Sequence, residues 1–163
     1  MTIKNVRRSA VALALVAFGA ASAQAQTANQ TVTFAVNAIN QIAFVGAPSL
    51  TITTAVAGSA PTSATDATAS WAVTTNQTGA KITANIASNM PAGLTLSSSL
   101  AAPTGATSAG FQALSTVAVD LVTVITKLAQ GSLGVTYKLD ATAAAGVVAS
   151  GTRVVTYTIT GGV

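Results

Sequence analysis

The chain reads as all-β: an antiparallel β-sandwich of immunoglobulin-like or Greek-key type behind a cleavable helical leader. Three observations predict it. Thr and Val, which favour a pleated and half-buried backbone, are abundant. Apolar and polar residues alternate in short runs after residue 30. Clusters of Gly, Pro, Asn and Ser punctuate those runs at the close spacing that packed sheets require.

The leader comes first. Lys4, Arg7 and Arg8 precede an apolar run from Ala10 to Ala21, and Ala21-Ser22-Ala23-Gln24-Ala25-Gln26 follows as a small-residue stretch. A basic start, a short apolar middle and an A-x-A end have the form of a secretory signal peptide. The run falls short of the about 20 apolar residues that a membrane helix needs. Cleavage is expected after Ala25, with Ala23 as the alternative, so residues 1–25 are the leader and 26–163 one domain.

From Thr31 to Val45 the even positions read Val32, Phe34, Val36, Ala38, Asn40, Ile42 and Phe44, which predicts one long strand or two joined by a bulge near Asn37–Gln41. Leu50, Ile52, Thr54 and Val56 form a second alternating stretch, and a loop of small residues is expected from Ala57 to Thr68. Trp71 and Val73 share one face of the next strand, and Asn76-Gln77-Thr78-Gly79 reads as a hairpin loop into Ile82, Ala84 and Ile86. Leu94, Leu96, Ser98 and Leu100 alternate after the turn at Asn89–Gly93, and Phe111 to Leu114 is a short strand. Val117 to Ile125 is apolar on both faces, where periodicity does not separate a strand from a helix. Leu133, Val135, Tyr137 and Leu139 make the penultimate strand, and Val155, Tyr157 and Ile159 the last, for about nine in all.

Composition excludes much chemistry. With no Cys there is no disulfide framework or thiolate nucleophile, and with no His and no Glu the usual bases and transition-metal ligands are missing. Without residues 1–25, four cations (Lys81, Lys127, Lys138 and Arg153) face three Asp, leaving a charge of +1 in place of +4. A nucleic-acid or anionic-membrane role, which needs clustered Lys and Arg, loses its support. No membrane span is expected once the leader is removed, and the sparse aromatic residues do not form the girdles of an outer-membrane barrel.

Asp66, Asp120 and Asp140 are the only carboxylates and are far apart in sequence, so no calcium site is expected. A hydroxyl nucleophile would need Lys81, Lys127 or Lys138 as its base, and no flanking motif supports one. Neither an enzyme nor a cofactor is expected. Two constellations remain. The uncharged run carrying Val32, Phe34, Val36, Ile42 and Phe44 suits a subunit-contact strand, because soluble monomers usually blunt sheet edges with charge or Pro. Trp71, Tyr137 and Tyr157 are the alternative, an aromatic platform for a glycan or other ligand, though each shares its face with apolar core positions.

Ser70-Trp71-Ala72-Val73, Lys81-Ile82-Thr83-Ala84, Met90-Pro91-Ala92-Gly93-Leu94, Val135-Thr136-Tyr137-Lys138-Leu139 and Val154-Val155-Thr156-Tyr157-Thr158-Ile159 together resemble small secreted bacterial surface proteins with one Thr/Ala-rich β-sandwich. Some features are similar to WxL-type cell-surface domains, others to subunits of extracellular fibres in which one chain lends a strand to the next. The resemblance implies Sec export to the cell surface, the extracellular space or the periplasm, and a structural or interaction role through self-association or other surface proteins. A monomeric ligand- or glycan-binding module is the alternative expectation.

Overall fold

The computed structural model describes residues 24–162. The leader expected over residues 1–25 lies, up to residue 23, outside the described residues. The chain divides between Ala35 and Val36 into two units. Residues 24–35 contain no regular element.

Among its described residues the second unit holds nine strands: β1 (Asn40–Val45), β2 (Ala64–Thr75), β3 (Ala80–Ile86), β4 (Leu94–Leu100), β5 (Thr107–Ser108), β6 (Gln112–Ala113), β7 (Val119–Ile125), β8 (Leu128–Ala141) and β9 (Val155–Thr160). A single 3₁₀ turn at Ala143–Ala145 follows β8. Two antiparallel sheets result, one of five strands in the order β1-β2-β8-β4-β6 and one of four in the order β5-β7-β3-β9. Both feed one core, with Trp71 and Val73 of β2, Ile82 and Ile86 of β3, Leu121 and Val122 of β7, and Val135 of β8 buried together.

The first strand is shorter than the alternation predicts. Residues 31–39 form no ladder, and regular pairing begins at Asn40. The Asn76 side chain intervenes: its Oδ1 accepts the Ile39 N–H at 2.8 Å and its Nδ2 donates to the Asn37 carbonyl at 2.7 Å. Backbone groups that a bulged strand would give to a neighbour are thereby taken by a side chain at the sheet corner. The stretch Leu50–Val56 is not a strand either, apart from one bridge between Ala55 and Pro61. Ser49 N–H donates to the Asp66 carboxylate at 2.9 Å, which holds this stretch without a ladder. β2 begins at Ala64, inside the expected loop, because its first residues pair with the long β8.

Asn76–Gly79 is not a hairpin loop. β2 pairs with β1 and β8, and β3 with β7 and β9, so this segment carries the chain from one sheet to the other. Thr75 fixes the corner: its hydroxyl donates to Asn40 Oδ1 at 2.7 Å and accepts the Gln77 N–H at 3.1 Å.

Val117–Ile125 resolves as strand β7, and its doubly apolar pattern has a mechanical cause. The β3–β7 register slips twice, between Ala80 and Ile82 and between Ile82 and Thr83, each time with an extra residue on β7. Bulges break the two-residue period. Leu121, Val122 and Ile125 consequently all face the core, and Val124 is turned outward with φ of 62°.

Candidate assembly surface

β1 and β9 are the last strands of their sheets on the same side of the molecule. The Phe44 ring of β1 lies on the Tyr157 ring of β9 with centroids 3.9 Å apart and planes 14° apart, and on Trp71 at 6.0 Å. A seam between the sheets therefore runs along these two edges. Half of it is closed by the three stacked rings. The alternation of Ile42 and Phe44 with Gln41 and Ala43 is what turns both large side chains inward, where they pack against the core.

Beneath the closed half lies a chain of hydroxyls. Tyr157 OH is 2.7 Å from Tyr137 OH and 3.2 Å from Ser98 Oγ. Ser98 is fully buried on the apolar face of β4, and this partner satisfies it. Burial pushes both phenols above their ordinary range. In the sequence the one hint of this group was a serine at an inward position of β4. By contrast, Trp71 Nε1 has no hydrogen-bond partner among the described residues.

The other half of the seam is open. Two hollows of about 680 and 780 Å³ share Leu50, Met90 and Leu139 as lining; the larger runs alongside Ile42 and Phe44 of β1 to Val155, and the smaller continues past it to Ile52. Arg153 stands at the rim, its guanidinium donating to the Asn89 carbonyl.

Of the subunit-contact residues expected from sequence, Ile42 and Phe44 belong to the seam itself, whereas Val32, Phe34 and Val36 are 72%, 90% and 80% exposed. Of the aromatic-platform residues, Trp71 is 1% and Tyr137 8% exposed, and Tyr157 is half-buried in the stack with Phe44. These rings meet one another and the core.

Lys81 pairs with Asp120 at 2.9 Å and Lys138 with Asp140 at 3.0 Å, both partly exposed and so worth little stability. The Ser63 hydroxyl, then Lys138, lower the Asp140 pKa. The Thr68 hydroxyl, with the Ser49 and Thr68 amides, lowers that of Asp66. Among the described residues no group of three or more acidic or other ligating side chains could hold a metal ion, and no helix is long and apolar enough to cross a membrane. Comparison with protein-family models, with curated proteins and with solved structures returns no match.

Proposed function

We propose that this chain is an exported structural protein of the cell surface or extracellular matrix, a β-sandwich of immunoglobulin-like, Greek-key type that associates by β-strand addition. The observation that carries the reading is the exposure of Val32, Phe34 and Val36 at alternate positions. Large apolar side chains left in water lose the stabilisation of burial, roughly 1.5–3 kcal/mol for each Val or Phe. Their period of two suits one face of a strand rather than a helix.

The free edges supply the counterpart. Neither β1 nor β9 carries a charged residue or a proline, the usual protections against pairing with another chain. The hydroxyl triad and the stacked rings have their partners inside the protein, which favours assembly over an aromatic ligand platform.

The test uses the chain lacking residues 1–25, examined by light scattering and negative-stain imaging. Concentration-dependent association is expected, lost on deleting residues 26–36 and in Phe34→Glu, with the circular dichroism spectrum retained. A monomer at all concentrations, or association unchanged by both variants, overturns the proposal. Quenching of Trp71 fluorescence by a sugar panel in that monomer would favour the glycan-binding alternative.

A further inference from the structure

We infer that the open half of the seam is the acceptor for residues 31–37 of a second copy, and that the assembly is therefore directional and open-ended. This rests on the strand-addition reading and adds where the strand goes.

The argument is one of poles. β1 runs from Asn40, opposite Thr75, to Val45, opposite Ser70. β9 runs the other way, from Val155, opposite Ile86, to Thr160, opposite Lys81. One pole of the seam thus gathers Asn40, Asn76, Gln77 and the end of β9, where a Cβ on Gly161 would clash with Gln77 Oε1 and Asn40 Nδ2. Asn37 and Ile39 are pinned at this pole by Asn76. The hollows extend toward the other pole, one running from Ile42 and Phe44 to Leu50 and Val155, the next lined by Leu50, Ile52 and Met90. A strand rises about 3.3 Å per residue, so the six residues of β1 separate the poles by roughly 20 Å. Asn37, the last residue of the donor segment, is thus held at the pole opposite the groove.

Occupant and groove match in character. From Gln26 to Ala47 the chain has no charge and no proline, so the segment can enter without desolvating an ion or losing a ladder N–H. The groove floor is apolar, with Leu50, Met90, Leu94, Leu139 and Val155 all half-exposed. Seven residues in strand geometry span roughly 23 Å, one residue more than a six-residue edge such as β9. Val32, Phe34 and Val36 would face the floor, and the intervening Thr33 and Ala35 the solvent.

When donor and acceptor lie on different surfaces of one subunit, the contact is heterologous. Such contacts propagate unless a rotation closes them into a ring. A copy that donates at one pole and accepts at the other leaves a free donor and a free groove at the two ends of every oligomer.

The chain has no cysteine, so engineered pairs report without background. Mixing Phe34→Cys with Met90→Cys under mild oxidant is expected to give a disulfide-linked heterodimer. The double variant is expected to give a ladder of covalent multimers on non-reducing gels, and Thr33→Cys at least tenfold less product than Phe34→Cys. Met90→Lys should abolish association while keeping the wild-type circular dichroism spectrum and melting transition. Light scattering of the unmodified chain runs in parallel. Association without a ladder, a ladder that stops at dimers, or Phe34→Cys linking mainly to itself would overturn the groove assignment and leave strand addition standing. Absence of any association overturns both.

Discussion

Val124 is a strand position where glycine should be a better residue than alanine. Its φ of 62° lies in the left-handed region, and it is a β-branched residue there, next to the bulge that turns Leu121, Val122 and Ile125 together into the core. That conformation costs an L-residue about 1–2 kcal/mol, and a glycine nothing. In an ordinary strand the balance is reversed, since glycine gives up about 0.5–1 kcal/mol more chain entropy than alanine. Val124 is 56% exposed, so both replacements lose the same modest packing and their difference isolates the backbone. Val124→Gly is therefore expected to exceed Val124→Ala in unfolding free energy by roughly 0.5–1 kcal/mol, the net of those two terms. The same pair at Thr158, exposed on β9 and free of positive φ, should show alanine ahead. Urea unfolding followed by Trp71 fluorescence measures all four, because the single Trp is buried in the shared core. If alanine leads glycine equally at both positions, the strain argument is wrong.

Three further outcomes follow from single sites. Gly93→Ala should destabilise by about 2–5 kcal/mol, combining left-handed strain with overpacking, because φ is 79° and a new Cβ would sit 2.8 Å from Ala145 Cβ and from Thr142 Oγ1. Gly58→Ala, with φ of 83° and nothing within 4 Å, should show the strain alone, and thermal melts compare the two. The folded state keeps Tyr137 and Tyr157 protonated after the unfolded chain begins to lose its phenolic protons near pH 10. Stability is accordingly full below that pH and falls above it, and Tyr157→Phe should flatten the alkaline limb of a stability-versus-pH curve. Asp66 has the opposite sign: its lowered pKa gives a contribution present above the ordinary carboxylate range and lost as pH falls from about 4 through the folded value. Asp66→Ala should remove part of that acid dependence and free the loop at Ser49, seen as faster amide exchange of Ser49 and Leu50.

Alternation carried most of the strand assignment, because a sheet with one buried face writes its period of two into the chain. It succeeded for β3, where Ile82, Ala84 and Ile86 are buried in turn. It failed in two ways. In β7 the bulges put Leu121 and Val122 side by side into the core, so the composition was right and the period absent. At residues 31–39 the period was present and no neighbouring strand was, since alternation records which side chains suit a common face and not whether a partner lies alongside. The Asn76–Gly79 turn misled for a related reason: its residues encode a reversal, and only the pairing of β2 with β8 and of β3 with β9 decides that the chain changes sheet. The open groove was not legible at all, because it is built from Leu50, Met90 and Val155, three segments distant in sequence.

The layout of charge bears on which side of the protein meets a partner. Among the described residues every charged side chain in a strand stands on an inner strand: Asp66 on β2, Lys81 on β3, Asp120 on β7, Lys138 and Asp140 on β8. The four edge strands carry none. Edges are ordinarily guarded by charge, proline or shortness. On the side opposite the seam, β5 and β6 are two residues long and offer little ladder to extend. On the seam side, β1 and β9 are six residues each, uncharged and free of proline. Arg153 precedes β9, and its guanidinium is held by the Asn89 and Thr152 carbonyls at the groove rim. Charges on inner strands and bare six-residue edges on one side make the seam side the less guarded one, as the strand-addition proposal requires. Placing Lys at Thr156 and Thr158 of β9 should therefore suppress association, while Lys at Thr95 on inner strand β4, equally exposed, should not.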